Sequence, residues 1–267
     1  MRMLYPVPRA LPVSSSFPPV KSVAVSTDDR TRFEFWLLPA HAPRGLILMC
    51  HGYHASRFQV LDMASSLSAR GYTTLLFDLR GHGTRRAEPC TFGKDELRDL
   101  GAILNWRRAD PLYATLPLGV MGVSWGGAFA CQAADRYQEV KALVLDSTYA
   151  RLFPILARVI RRDYHLPSPF AWITWFCTQA VLAWPLGPKD PLAFARRAHL
   201  PCLMIHGEAD QSVPLDDDKQ LYTAWQGPKS QWIEPGAGHV VLSSVSPSTY
   251  CHRLVQFFDQ WLLAHPA

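Results

Sequence analysis

Short runs of continuously apolar residues alternate along the chain with longer segments of helical period. Strands of a parallel sheet covered on both faces have such runs, because neither face meets water. The pattern therefore predicts an α/β fold with a mostly parallel central sheet and helices on both faces. The predicted strands are Leu46–Cys50, Thr73–Phe77, Leu118–Val123, Ala142–Leu145, Cys202–His206 and Ser230–Ile233. The predicted helices are Phe58–Ala69, Lys94–Arg107, Trp125–Arg136, Asp216–Trp225 and Pro247–Leu263.

Two further strands precede this series. The runs Val20–Val25 and Phe33–Leu38 are separated by the turn-forming residues Thr27-Asp28-Asp29, which predicts an antiparallel hairpin at a sheet edge. Residues 1–19 form a Pro-rich leader, whose prolines interrupt any apolar core of signal-peptide length. We therefore expect a cytoplasmic protein.

The alternation of strands and helices breaks once, between Tyr149 and His199. We interpret residues 149–199 as a helical cap over the carboxyl ends of the strands, where α/β proteins bind ligands. Residues 20–148 and 200–267 then form one core domain. The length of 267 residues is suited to a single large domain.

The cap sequence predicts two helices of different character. Arg151–Arg162 combines an apolar stripe with arginines on another face, and the helix that begins at Ser168-Pro169 is apolar nearly all round. Packing of both helices against the domain is the preferred interpretation, and a membrane-contacting lid is the alternative. In both cases we expect an apolar pocket, with Trp172, Trp175 and Phe176 against the substrate.

Composition narrows the classes of function. The charge of +5 is spread thinly along the chain, whereas nucleic-acid binding requires basic residues clustered on one element. We therefore expect no nucleic-acid partner. Cys50, Cys131 and Cys202 lie in predicted strands or a predicted helix, which indicates core residues and not a disulfide framework.

The most specific local motif is Gly122-Val123-Ser124-Trp125-Gly126-Gly127, between a predicted strand and a predicted helix. Glycines are needed there because the turn is too sharp for side chains, and the turn exposes the central serine at the tip of the sheet. The helix N-terminus also favours developing negative charge. The motif predicts Ser124 as a nucleophile.

A serine nucleophile needs a base and an acid that orients the base. His239 follows Pro235-Gly236-Ala237-Gly238 after the last predicted strand, and Asp210 follows the strand Cys202–His206. The order Ser, Asp, His is the one that α/β hydrolases use. Asp146, after the strand Ala142–Leu145, lies at another position that can carry the acid. The sequence leaves the two acids as alternatives, with Asp210 preferred.

Acyl transfer also needs donors for the tetrahedral oxyanion. The backbone N–H groups of Trp125, after the nucleophile, and Tyr53, in the loop after the first parallel strand, are predicted to form this oxyanion hole. Tyr53 is also a candidate to contact substrate through its side chain. His51 and His54 lack a third ligand at suitable spacing, so we prefer loop-ordering hydrogen bonds over a metal site.

Five motifs in this order resemble the α/β-hydrolase superfamily, in the branch with serine aminopeptidase-like, acylglycerol-lipase-like and acyl-thioesterase-like members. The resemblance covers about Phe33 to Leu263 without the insertion. It implies hydrolysis through an acyl-enzyme with no metal or organic cofactor, and structural roles for Arg80 and His82. The motifs are His51-Gly52-Tyr53, Asp78-Leu79-Arg80-Gly81-His82-Gly83, Gly122-Val123-Ser124-Trp125-Gly126, His206-Gly207-Glu208-Ala209-Asp210 and Gly238-His239.

The predicted function is hydrolysis of a carboxylic ester or thioester with an apolar acyl or aromatic group. One alternative is a serine peptidase that acts on small peptides. Such a peptidase would need an acid to bind the substrate amine, for which Glu88 and Asp163 are the candidates. A second alternative is a non-catalytic binding protein, which the intact Ser, Asp and His set argues against. We expect a monomer or dimer that binds a small-molecule ester, thioester or peptide.

Overall fold

The computed structural model describes residues 4–6, 19–167 and 169–263, without the side chains of Asp163 and Pro188. Most of the predicted leader and the predicted helix start at Ser168 therefore lie outside the described residues. The predictions made for the rest of the chain can be compared with the structure.

The described residues form one eight-stranded sheet in the order β1-β2-β4-β3-β5-β6-β7-β8. The strands β3 to β8 pair in parallel, whereas β1 pairs antiparallel with β2, and β2 antiparallel with β4. The predicted hairpin at the sheet edge is thus confirmed. The strands are Lys21–Ser26, Arg32–Leu38, Gly45–Cys50, Tyr72–Phe77, Leu118–Val123, Val140–Asp146, Cys202–Gly207 and Lys229–Glu234.

Helices connect the parallel strands, and short 3₁₀ turns modify the predicted bounds. The first predicted helix begins as the 3₁₀ turn Arg57–Val60, and the last one changes to a π-helical turn at Asp259–Leu263. The second starts only at Glu96, whose carboxylate accepts hydrogen bonds from the N–H groups of Thr91 and Gly93 (2.8 and 2.9 Å). The helices α1 to α9 are Leu61–Ser68, Glu96–Ala109, Trp125–Arg136, Leu152–Tyr164, Pro169–Leu182, Pro191–Ala195, Leu215–Ala224, Leu242–Val245 and Pro247–Phe258.

The sheet separates two apolar layers. One layer packs α1, α8 and α9 against the sheet, and the other packs α2, α3 and α7. The continuously apolar strands β3 to β7 contribute side chains to both layers, as the pattern predicted. All the cysteines in the sheet and in α3 are buried free thiols. Burial in these layers stabilises the sheet by about 1.5–3 kcal/mol for each large apolar side chain.

The segment 149–199, which we call the cap segment, contributes α4 and α5. These helices pack on each other and extend the second apolar layer with Leu156, Ile160 and Trp175. The Nζ of Lys94, before α2, donates a hydrogen bond to the carbonyl of Leu182 at the end of α5 (2.6 Å). Both contacts hold the cap segment against the rest of the chain.

Candidate active site

Ser124 lies in a strained turn between β5 and α3. Its φ of 55° and ψ of −117° fall outside the regions that side chains usually adopt. Its N–H donates to the carbonyl of Asp146 on the neighbouring strand (2.7 Å), and its own carbonyl accepts from Gly127 N–H (3.0 Å). These bonds hold the serine in the strained conformation.

The glycines beside Ser124 permit the close approach of backbone segments. A Cβ atom at Gly122 would collide with the carbonyl oxygen of Gly126, and one at Gly126 would collide with the carbonyl of Cys50 on β3. Backbone atoms cannot move aside as a flexible side chain can. The structure therefore requires glycine at both positions, as the sequence motif predicted.

His239 and Asp210 complete a hydrogen-bonded chain with Ser124. The Nε2 atom of His239 lies 3.2 Å from Ser124 Oγ, and Nδ1 lies 2.6 Å from Asp210 Oδ2. Asp210 follows β7, and its other oxygen accepts the N–H groups of Ser212 and Val213 (2.8 and 2.9 Å). Asp210 is an acceptor for His239, so Nδ1 carries the proton and Nε2 can accept one from the serine.

Asp146, the alternative acid, is bonded elsewhere. Its two oxygens accept hydrogen bonds from the hydroxyl groups of Ser147 (2.8 Å) and Tyr250 (2.5 Å). The carboxyl group is fully buried, and this burial raises its pKa. Of the two candidate acids, it is therefore Asp210 that hydrogen-bonds to His239.

Sequence reasoning gave no role to a second histidine, which lies beside the hydrogen-bonded chain of Ser124, His239 and Asp210. His206 is completely buried, its Nε2 donates to the carbonyl of Val213 (3.0 Å), and the same atom lies 3.6 Å from Asp210 Oδ2. Its Nδ1 lies 3.8 Å from Asp218 Oδ1. Asp218 is buried in α7, although its sequence context indicated only a helix start. The spacing of His206 and Asp210 at a strand end was the available signal.

The loop after β3 passes directly against Ser124. A Cβ atom at Gly52 would lie 3.4 Å from the Cβ of Ser124. The next residue is Tyr53, whose ring centroid lies 6.3 Å from that of Trp125. Trp125 is the first residue of α3, where N–H groups have no partner within the helix. Assignment of the Tyr53 and Trp125 N–H groups to an oxyanion hole stays a prediction.

His51 orders this loop. Its Nδ1 donates to the carbonyl of Gly52 (2.8 Å), and its Nε2 accepts from the N–H of Leu79 (3.0 Å). Both ring nitrogens are therefore used in backbone hydrogen bonds, which is the role we preferred for it over metal binding. Burial lowers the pKa of His51, so the ring is neutral.

Aromatic rings pack around Tyr53 beside the Ser124 turn, and we call this cluster the wall. Its ring centroid lies 5.3 Å from that of His82 and 6.3 Å from those of Phe92 and Trp125, and His82 stacks on Trp125 at 5.3 Å. Burial lowers the pKa of His82 to about 3, so this ring is also uncharged near neutral pH. Burial raises the pKa of the Tyr53 phenol. This wall is apolar and uncharged.

Arg80 belongs to a buried ion-pair network and not to the serine site. Its guanidinium donates three hydrogen bonds to Asp99 (2.8, 3.0 and 3.3 Å) and one to Asp29 (3.2 Å). These contacts join the loop after β4 to α2 and to the β1–β2 turn. The contacts agree with the structural role that the resemblance implied for Arg80.

The predicted substrate-binding aromatics lie on α5 in the cap segment. Trp175 is buried, whereas Trp172 and Phe176 are exposed. In the described part of the chain, the ring contacts of these residues stay within the cap segment: Phe153 lies 4.2 Å from Trp172 and 5.4 Å from Trp175 between centroids. The structure thus gathers them in one cluster, separate from the rings around Tyr53.

The residues that the structure describes are 4–6, 19–167 and 169–263. No group of three or more His, Cys, Asp or Glu side chains that could hold a metal ion occurs among them. No helix among them is long and apolar enough to cross a membrane.

Relatives of this chain are found by sequence and by structure. It is 29% identical over 237 residues to an uncharacterized protein of Mycobacterium tuberculosis, covering 88% of this chain and 76% of the relative. It is 25% identical over 228 residues to the uncharacterized protein YqkD of Bacillus subtilis, covering 82% and 72%. The fold is similar to that of a Pyrococcus furiosus esterase, with a TM-score of 0.76, 23% identity, and coverage of 96% of this chain and 98% of that one.

The family model described as serine aminopeptidase, S33, matches residues 41–191, which is more than half of the chain. The match includes β3, the Ser124 turn and most of the cap segment. Together with the sheet topology, it identifies a hydrolase of the α/β-hydrolase fold, as the motifs predicted. The chain therefore belongs to the serine aminopeptidase S33 family of α/β hydrolases.

Proposed function

We propose that this protein is a serine hydrolase that cleaves a carboxylic ester or thioester with an apolar acyl or aromatic group. The observation that carries the proposal is the hydrogen-bonded chain from Ser124 Oγ to His239 Nε2 (3.2 Å) and from His239 Nδ1 to Asp210 Oδ2 (2.6 Å). The strained turn at Ser124 supports the same assignment. A hydroxyl group within reach of an oriented imidazole is the usual arrangement of an activated nucleophile.

In the first half of the reaction, Ser124 Oγ attacks the carbonyl carbon while His239 Nε2 accepts the hydroxyl proton. Asp210 stabilises the imidazolium, and the N–H groups of Trp125 and Tyr53 donate to the oxyanion. The carbon–oxygen or carbon–sulfur bond then breaks, and the leaving alcohol or thiol takes the proton from His239. The products of this half are the free alcohol or thiol and an acyl group on Ser124.

In the second half, His239 takes a proton from water as the water oxygen attacks the acyl carbon. The bond to Ser124 Oγ breaks, and His239 returns the proton to the serine. A carboxylic acid leaves, and the enzyme regains its initial state. The same base thus serves both halves, and no other group needs to change its protonation.

The walls of the site support an apolar group next to the scissile bond. Tyr53, Phe92 and Trp125 contribute rings, and the neutral His82 adds a fourth. Burial of an acyl chain against such rings is favourable at about 25 cal/mol for each Å² of apolar surface. An ionised group of a substrate would lose its hydration there without gaining a partner.

Peptidase activity on small peptides is the alternative, consistent with the description of the family model. An aminopeptidase needs a carboxylate for the substrate amine. The carboxylate of Glu88 is held by Arg85 (2.6 Å) and by Arg80 (3.6 Å), so it is already paired, and the side chain of Asp163 lies outside the described residues. The ester interpretation is therefore the better supported one.

Three activity assays distinguish these functions. We expect p-nitrophenyl esters to be hydrolysed with a preference for chains longer than acetate, and aminoacyl-p-nitroanilides to be hydrolysed far more slowly. Preference for acetate would contradict an apolar acyl site, and faster anilide hydrolysis would support the peptidase. A fluorophosphonate should label the wild type but not Ser124→Ala. Absence of labelling in the folded wild type would favour a non-catalytic binding protein.

A further inference from the structure

The outer side of α5 is apolar although it is exposed. The helix buries Ala171, Trp175, Thr178 and Leu182, which repeat at helical spacing and define its inner side. A surface helix usually carries polar residues on its other side, but here that side is also apolar. The exposed residues are Pro169, Phe170, Trp172, Ile173, Phe176, Cys177, Ala180 and Val181. In the described structure, this side of α5 is a contiguous exposed apolar surface, and such surfaces mark interaction sites.

Arginines lie on the helix next to this apolar surface. Arg158, Arg161 and Arg162 are exposed on α4, which packs against α5. Both helices bury side chains in the same apolar layer, so their exposed sides point away from the rest of the protein. Tyr164 at the end of α4 and Leu166 after it are also exposed. We call the exposed side of α5, with Tyr164, Leu166 and the three arginines, the cap face.

The cap face is basic as well as apolar. Residues 152–182 contain three arginines and one acidic residue, Asp163, so their formal net charge is +2. Exposed tryptophan, tyrosine and arginine next to aliphatic side chains are typical of helices that lie in the interface of a bilayer. α5 has only 14 residues, whereas a span needs about 20. Its chemistry and length thus suit a helix that lies along a membrane surface.

We propose that the cap face docks onto the surface of an anionic lipid bilayer. The apolar side chains of α5 enter the acyl boundary, and the exposed Arg158 and Arg161 of α4 pair with lipid phosphates. A second copy of this chain is a less suitable partner, because a symmetric contact would bring the arginines of both copies together. A lipid surface removes the apolar area from water and neutralises the arginines at the same time.

Docking would bring the serine site close to lipid. The cap segment begins shortly after β6, whose last residue, Asp146, accepts a hydrogen bond from the N–H of Ser124 (2.7 Å). An acyl ester dissolved in the bilayer would then be near the entrance to the site. This consequence, unlike the docking itself, rests on the proposed function.

Sedimentation with lipid vesicles tests the docking. The full chain carrying Ser124→Ala is used, so that hydrolysis has no influence on the result. We expect binding to vesicles of phosphatidylcholine mixed with phosphatidylglycerol, weaker binding to phosphatidylcholine alone, and a decrease with added salt. Because Ser124→Ala removes only the nucleophile, failure of the proposed function would leave this binding unchanged.

Matched substitutions locate the contact. Ile173→Gln with Val181→Gln should weaken vesicle binding about ten-fold or more, because these side chains (56% and 70% exposed) would enter the bilayer. Leu112→Gln with Val245→Gln is the control, since these residues are similarly exposed (55% and 63%) but lie outside the cap segment. The control pair should bind vesicles as the parent protein does.

Arginine substitutions test the charge complementarity. Arg158→Gln with Arg161→Gln should weaken binding to the anionic vesicles by about 25-fold, since each arginine near such a surface contributes about five-fold. Arg86→Gln with Arg136→Gln is the control. It removes two exposed arginines that lie outside the cap segment, and it should have little effect on vesicle binding. In a wild-type Ser124 background, all four double variants should hydrolyse a water-soluble ester at the parental rate, which also shows that they are folded.

Three results would overturn the proposal. The first is no binding of the folded parent to anionic vesicles at low salt. The second is equal loss of binding in the cap-face and control variants. The third is a parent protein that does not bind vesicles but forms a dimer in analytical ultracentrifugation, which Ile173→Gln with Val181→Gln dissociates. That result would assign the cap face to a second copy of the chain.

Discussion

Replacement of Asp210 by Asn tests the role of the acid next to His239. The carboxylate accepts the Nδ1 proton of His239 at 2.6 Å and two backbone N–H groups through its other oxygen. In Asp210→Asn, the amide oxygen can keep the backbone hydrogen bonds, and the NH₂ group then faces His239. This arrangement requires an unprotonated Nδ1, so the proton moves to Nε2. A protonated Nε2 cannot accept the proton of Ser124.

The expected loss follows from this tautomer. Exchange of the tautomer and loss of the negative charge reduce kcat by about 10⁴-fold in serine hydrolases that have been mutated in this way. That factor corresponds to about 5 kcal/mol of transition-state stabilisation. KM should change little, because Asp210 does not line the apolar wall. The assay is the initial rate of p-nitrophenyl ester hydrolysis at saturating substrate, with circular dichroism to verify the fold.

Asp146→Asn is the matched control. Its carboxyl group hydrogen-bonds to Ser147 and Tyr250, and an amide can keep one of these bonds. We expect a decrease of kcat of about ten-fold or less and a loss of about 1–2 kcal/mol in the free energy of unfolding. If Asp146→Asn abolished hydrolysis while Asp210→Asn remained active, the assignment of the acid would be wrong.

Three further predictions concern the fold. Gly126→Ala should lower both Tm and kcat, because the new methyl group collides with the Cys50 carbonyl; a wild-type Tm in a thermal scan would contradict this. Trp175→Ala should cost about 3–5 kcal/mol in urea unfolding, against about 0.5 kcal/mol or less for the exposed Phe176→Ala, and equal losses would contradict the observed burial. Burial raises the pKa of Asp190 to about 6 in the folded state, so folding favours the protonated carboxyl group. The contribution of Asp190 to the free energy of unfolding therefore falls as pH rises from about 4 to about 6. The unfolding free energy relative to Asp190→Asn should fall over that range, and a constant difference would exclude the shift.

The sequence predictions agree best with the structure where a feature depends on a few residues that are adjacent in the sequence. The strands β3 to β7 are evident in the sequence because both of their faces are buried, which leaves continuous apolar runs. The turn at Ser124 is evident because glycine is needed wherever another backbone segment occupies the space that a Cβ atom would fill. The helix bounds are less exact, since hydrogen bonds such as those from Thr91 and Gly93 to Glu96 decide where a helix starts.

The choice between Asp210 and Asp146 shows where sequence reasoning ends. β6 and β7 are neighbours in the sheet, so both acids follow strands at the same edge. The sequence places both near His239 but does not determine where each side chain points. Tyr250, which is 104 residues from Asp146, takes one of its oxygens, and the loop from 210 to 213 turns Asp210 toward His239.

By itself, the sequence determined the α/β architecture, the strained serine turn and the order of the three chemical groups, because these depend on periodicity and on glycine spacing. Only the tertiary structure decided which acid meets His239, that His206 lies behind it, and which side of the uniformly apolar α5 is exposed. Such facts depend on contacts between distant parts of the chain: Ser124 and His239 are 115 residues apart. Packing, which no local pattern specifies, brings such residues together.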